Sequence, residues 1–88
     1  MQTVNKAVRE PITMYSTAWC GYCRRLKIQL KAARIPFVEV DIEEDSASAD
    51  FVRGVNDGNG TVPTVKFPDG RTATNPTLAV VERMLAGR

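Results

Sequence analysis

Between Ile12 and Val40 the spacing of apolar residues changes character twice, and this change restricts the available folds more than any other feature of the chain. Ile12-Thr13-Met14-Tyr15 follows Pro11 and mixes β-branched with aromatic residues, which predicts a short strand. After the loop Ser16-Thr17-Ala18-Trp19, the apolar positions Cys23, Leu26, Leu30 and Ala33 recur every three or four residues. Arg24, Lys27, Lys31 and Arg34 form a second stripe on another face, so an amphipathic helix is predicted from near Cys20 to Arg34. Pro36 stops it, and Phe37-Val38-Glu39-Val40 reads as a second strand, largely buried. Strand, helix and strand in that order require a right-handed crossover between parallel strands.

The rest of the chain adds an antiparallel part. Asp41 to Asp45 is an acidic turn, and Ala47, Phe51, Val52 and Val55 then make a second helical stripe, with carboxylates near the helix N-terminus where the dipole favours them. Asp57-Gly58-Asn59-Gly60 ends that helix. Thr64-Val65-Lys66-Phe67 alternates like a strand, Pro68-Asp69-Gly70 turns, and Arg71-Thr72-Ala73-Thr74 returns as the other arm of a hairpin. Asn75 is the expected N-cap and Pro76 the first residue of a last helix, with Leu78, Val81 and Leu85 inward. The expected class is α/β, in the order βαβαββα, with a mixed four-stranded sheet flanked by helices. Open sheets of this kind take ligands beyond the C-terminal ends of their strands, where the first helix would place Cys20.

Composition narrows the function. With 88 residues the chain reads as a single domain, residues 1–10 being a flexible N-terminal segment. Its 43% hydrophobic and 25% charged residues are ordinary for a globular chain, which excludes disorder and low complexity. Without a signal-peptide h-region or an apolar run of about 18 residues, a cytoplasmic protein with no membrane association is expected. Charge is uneven: residues 1–40 carry seven basic and two acidic side chains, and residues 41–58 carry one basic and six acidic. No aromatic interleaving accompanies the basic half, so solvated faces are preferred to a nucleic-acid site.

Two cysteines and no histidine leave little catalytic vocabulary, and Trp19-Cys20-Gly21-Tyr22-Cys23 holds most of it. As a structural disulfide the pair is a poor staple, since closing a loop of four residues removes only about 2 kcal/mol of unfolded-state entropy. Burial as an inert thiol suits Cys23, which continues the stripe of Leu26 and Leu30, but not Cys20. A residue at the start of a helix meets unsatisfied N–H groups and the positive end of the dipole, which favour thiolate, the nucleophile of disulfide exchange; Arg24 or Arg25 would assist. Cys20 is therefore the expected attacking thiolate, and Cys23, one turn deeper on the same face, the resolving or protective thiol. Two thiolates fall short of the four ligands of a structural zinc site, so no metal is assigned; a metal or iron-sulfur carrier would have to bridge two subunits. Asp41, Glu43 and Asp45 imitate the opening of a calcium loop, but Ser46 and Val52 stand where glycine and the bidentate glutamate belong. Thr61-Val62-Pro63 precedes a strand, where proline by itself marks only a strand start.

A strand, then Trp19-Cys20-Gly21-Tyr22-Cys23 opening a helix, then Thr61-Val62-Pro63 before a hairpin, resembles the glutaredoxin branch of the thioredoxin-fold oxidoreductases over residues 11–86. The resemblance implies a thioredoxin-like fold, a cis peptide bond before Pro63, and a wall of Thr61, Val62 and Pro63 where the Val62 backbone pairs with the peptide-like part of a bound thiol. Within the branch the chain is similar to the mycoredoxin group, actinobacterial members that work with mycothiol, through Thr61 to Phe67, Asp69-Gly70 and Thr74-Asn75-Pro76. Glutathione-using members typically carry a lysine three residues before the first active-site cysteine and a Gly-Gly-x-Asp-type segment before the last helix, whereas this chain has Thr17 and Thr74-Asn75-Pro76. Mycothiol, an acetylated cysteine joined to an aminosugar and inositol, has no free carboxylate for such groups to bind. Thr17, Thr74 and Asn75 are thus expected to meet the thiol as neutral partners, with Trp19 and Tyr22 flanking it as contacts or as packing; Arg53 or Arg71 remains available to a carboxylate. The resemblance implies no tightly bound cofactor, mycothiol as reducing co-substrate, and a monomer acting on protein mixed disulfides. The family also contains donors to ribonucleotide reductase recharged by thioredoxin reductase, which carry a Trp-Ser-Gly-Phe-Arg-Pro-type segment where this chain has Ala73-Thr74-Asn75-Pro76.

Overall fold

A computed structural model describes residues 10–87, so the expectation for the N-terminal segment falls, but for residue 10, outside the described residues. The described elements follow the predicted order: β1 (Ile12–Ser16), α1 (Gly21–Ala32), β2 (Phe37–Asp41), α2 (Ser46–Val55), β3 (Thr64–Lys66), β4 (Thr72–Thr74) and α3 (Leu78–Ala86). The sheet runs β2-β1-β3-β4, with β2 parallel to β1 and the β3–β4 hairpin antiparallel to it. Among the described residues no helix is long and apolar enough to cross a membrane.

β1 is central and buried on both faces, which is why its sequence reads as a short apolar run. Ile12 and Met14 join Leu26 and Leu30 of α1, Val65 of β3, Phe67 just after it, and Val81 of α3 in the main core. On the other face Tyr15 packs on Phe51 of α2, ring centroids 5.3 Å apart. Burying a leucine-sized side chain contributes roughly 1.5–3 kcal/mol, so this cluster supplies much of what holds so small a fold together.

Three local expectations are corrected. β2 is not largely buried: it is an edge strand, and Val38 is half exposed. In α2 the inward residues are Ala49 and Val52, while Ala47 and Val55 face outward. The helix starts at Ser46 and is capped by the Asp45 side chain, whose Oδ1 accepts the Ser48 N–H at 3.4 Å. The last helix is capped by Thr77, whose Oγ1 accepts the Val80 N–H at 3.2 Å, and not by Asn75. Asn75 instead adopts a left-handed backbone (φ 47°) and donates its N–H to the Pro63 carbonyl at 2.7 Å, so the chain is still turning there.

Thr77→Ala should therefore lower stability by about 1 kcal/mol, read as a shift of the denaturant midpoint at constant m. Asn75→Gly, which relieves a left-handed residue, should not lower it. The reverse order would return the cap to Asn75.

Candidate active site

Antiparallel pairing fixes which loops meet. Tyr15 of β1 lies opposite Thr64 of β3, so the segment leaving β1 and the segment entering β3 occupy the same end of the sheet. The first contains Cys20 and the second Pro63.

Cys20 is the N-cap of α1, with extended backbone angles and a side chain turned back over the first turn. Its Sγ accepts the Cys23 N–H at 3.1 Å, the position usually filled by a serine or aspartate oxygen. The same sulfur donates to the Val62 carbonyl at 3.7 Å, which seats it between the helix terminus and the wall opposite. Both cysteines are free thiols. Cys20 is 7% exposed, less than its loop setting suggested, and Cys23 is 2% exposed beneath it, on the face it shares with Leu26 and Leu30.

Burial pushes the Cys23 thiol up to about 12; its hydrogen bond to Cys20 and the negative charges of Cys20 and Glu39 add to this, and a backbone hydrogen bond from Thr17 opposes it. Cys23 is consequently a protonated thiol at neutral pH. Below it Glu39 of β2 accepts from Ser16 Oγ at 2.8 Å and from Lys27 Nζ at 2.9 Å. Burial works to raise the Glu39 carboxyl, but these bonds and the charges of Lys27 and Lys31 outweigh it and hold the group below the ordinary range. The result is a fixed carboxylate tying α1 to the edge strand directly under the cysteine loop.

The other predicted residues separate into three groups. Thr61 is exposed, Val62 partly exposed and Pro63 buried, and the Val62–Pro63 peptide bond is cis; this wall lies beside Cys20. Trp19 and Tyr22 are 70% and 65% exposed on either side, and the Trp19 indole N–H donates to Glu43 at 3.0 Å. Tyr22 and Asn75 line one cleft of about 220 Å³, together with Arg25, Gln29 and Thr77. Thr17 lies under the surface: it is buried, its carbonyl accepts the Cys20 N–H at 3.3 Å, and its own hydroxyl has no hydrogen-bond partner among the described residues. Thr74 spends its hydroxyl on Asn56 at 2.6 Å.

Both arginines that the sequence left open to a carboxylate are engaged within the protein. Arg53 pairs with Asp50, and Arg71 binds Asp69 at 2.7 Å and the Met84 carbonyl at 2.6 Å. Sequence reasoning missed Asn56 and Gln29. Asn56 directly precedes the Asp57-Gly58-Asn59-Gly60 stop, and nothing in periodicity reveals that its side chain reaches across to β3 and β4.

With this geometry in hand, the chain can be set beside known proteins. The family model described as Glutaredoxin matches residues 12–71. A glutaredoxin-like protein of Mycobacterium tuberculosis is 58% identical over 74 residues, covering 84% of this chain and 88% of that protein. Mycoredoxin 1 of Corynebacterium glutamicum is 44% identical over 70 residues, covering 80% and 86%. Among solved structures, a glutaredoxin from Archaeoglobus fulgidus superposes with a TM-score of 0.72 at 21% identity, covering 99% of this chain and 97% of that one, a likeness of fold.

The unequal thiols make a direct expectation. Iodoacetamide at pH 7 to 8 should add a single group, on Cys20, and modify the buried Cys23 thiol far more slowly. Peptide mass spectrometry reads the outcome, and equal modification of both thiols at neutral pH would contradict the assignment.

Proposed function

Because the chain belongs to the glutaredoxin family of thiol-disulfide oxidoreductases, we propose that it reduces mixed disulfides between proteins and a low-molecular-weight thiol, and that this thiol is mycothiol. The observation that carries the reading is the seat of Cys20 Sγ, between the Cys23 N–H and the Val62 carbonyl. A donor aimed at sulfur stabilises negative charge on it, and a backbone wall beside it can pair with the peptide-like part of an incoming thiol.

In the first step the Cys20 thiolate attacks the mycothiol sulfur of the mixed disulfide. A Cys20–mycothiol disulfide bond forms, the protein–mycothiol bond breaks, and the protein sulfur leaves as thiolate and takes up a proton. A second mycothiol, as thiolate, then attacks the mycothiol sulfur attached to Cys20. Cys20 is regenerated and the symmetric mycothiol disulfide leaves carrying the oxidising equivalents. Cys23 can also resolve the intermediate by attacking Cys20, giving a Cys20–Cys23 disulfide, but it must first give up a proton held by burial. The one domain suffices for this cycle as a cytoplasmic monomer with no bound cofactor.

The choice of thiol rests on charge. Position 17 is a buried threonine, Thr74 and Asn75 are neutral, and Arg53 and Arg71 are held by Asp50 and Asp69. The cleft between Tyr22 and Asn75 offers an aromatic ring, amide and hydroxyl groups and the Arg25 guanidinium, a polar lining that suits the hydroxyls of a sugar and a cyclitol. The 44% identity to a corynebacterial protein named mycoredoxin 1 supports the same choice.

Cys20→Ser should abolish all exchange, whereas Cys23→Ser should still cleave mixed disulfides of the small thiol; equal loss in both would sink the monothiol route. Charge-assisted bonds contribute roughly 1.5 to 3 kcal/mol each, so the lack of two such anchors should make kcat/KM for glutathione-linked disulfides about a hundredfold lower than for mycothiol-linked ones. Comparable values for the two thiols, or efficient recharging by thioredoxin reductase without mycothiol, would overturn the assignment.

A further inference from the structure

The wall opposite Cys20 is held through its carbonyls. The Thr61 carbonyl accepts from Thr64 Oγ1 at 2.8 Å, the Val62 carbonyl from Cys20 Sγ at 3.7 Å, and the Pro63 carbonyl from the Asn75 N–H at 2.7 Å. The middle bond belongs to the reactive sulfur itself, so it is lost when Cys20 ionises or enters a disulfide. From then on the outer two hold the wall.

Asn56 stands behind both. This residue closes α2, and its Nδ2 donates to the Val52 carbonyl at 2.8 Å and to Thr64 Oγ1 at 3.1 Å. Its Oδ1 accepts from Thr74 Oγ1 at 2.6 Å, one residue before Asn75. One planar amide thereby orients the hydroxyl that holds Thr61 and anchors the strand end that presents Asn75 to Pro63. Aspartate lacks the two donors this requires, and glutamine would push the amide a methylene further toward a Thr64 that is fully buried.

We propose that Asn56 is a positioning residue for the thiol-binding wall, setting Thr61, Val62 and Pro63 for the ligand during the part of the cycle when Cys20 no longer supports them. The proposal rests on the reading of that segment as the wall.

The test combines kinetics with one spectroscopic control. Asn56→Ala should raise KM for a mycothiol-linked peptide disulfide about tenfold, the effect of losing one or two net hydrogen bonds, with kcat within about twofold. Alkylation of Cys20 by iodoacetamide should keep its rate, because the helix terminus is untouched. Asn56→Asp, which keeps size and the acceptor for Thr74, and Thr64→Val, which removes the relay hydroxyl, should each raise KM in the same direction. The double variant Asn56→Ala with Thr64→Val should be no worse than the more impaired single one. These two substitutions carry the test if Asn56→Ala does not fold. The control is the Val62 amide resonance in Cys23→Ser, recorded before and after a mycothiol disulfide is formed on Cys20. A Val62 amide that responds, with KM unchanged in the folded variants, overturns the role of Asn56 and leaves the wall standing. A Val62 amide that does not respond overturns the wall and the proposal with it.

Discussion

The pairing of β1 with β3 is the contact on which the site depends. Because the two strands are antiparallel, the end of one and the beginning of the other lie side by side, and the register of Tyr15 opposite Thr64 leaves the flanking loops no choice but to meet. A slip of β3 by one residue would turn Val65 out of the main core and Lys66 into it, so burial enforces the register. The distance between Cys20 and Val62, 42 residues apart in the chain, is thus set by hydrophobic packing in the middle of the sheet. Reactive geometry at the rim is a consequence of the core.

From that placement follows the inequality of two chemically identical side chains. Cys20 and Cys23 are separated by less than one helical turn, yet one is the cap and the other lies inside the first turn. The cap sulfur receives the N–H of the inner cysteine, which brings the two side chains together at the helix start. Cys23 gains burial, and burial favours its protonated form. Glu39 deepens the difference, since its carboxylate, kept ionised by Lys27 and Ser16, discourages a second negative charge beneath the loop.

What the sequence made legible was whatever local periodicity or a short motif encodes. The inward stripe of α1, the order of elements, the hairpin at Asp69-Gly70 and the pairing of Cys20 with the Thr61-Val62-Pro63 segment all belong to that class. The misplaced features depend on long-range neighbours. Phe37 to Val40 has the composition of a buried strand, and only the strand order, which puts it at an edge, exposes Val38. Asn75-Pro76 has the form of a cap, and it fails because the Pro63 carbonyl claims the Asn75 N–H and bends the backbone into the left-handed region. Thr17 was read as a ligand contact because a family position drew attention to it, but the turn after β1 buries it below the cysteines. Asn56 carried no signal, for its three partners lie on three elements and only the folded chain assembles them.

If the chain runs the proposed cycle, the same burial that quiets Cys23 bears on how that cycle closes. Resolving the intermediate internally asks a desolvated thiol to ionise next to a carboxylate, although its barrier is eased once Cys20 has lost its charge to the mixed disulfide. An external small thiol arrives from water with its ionised fraction already set by solution pH, and it needs only a groove that aligns it with the outer sulfur. In the proposed cycle the alignment of the second thiol by the polar lining of the cleft and by the wall therefore matters more to turnover than the second cysteine does. Cys23 keeps a different value: it can close on Cys20 when the small thiol is scarce, trading turnover for protection of the reactive sulfur against further oxidation.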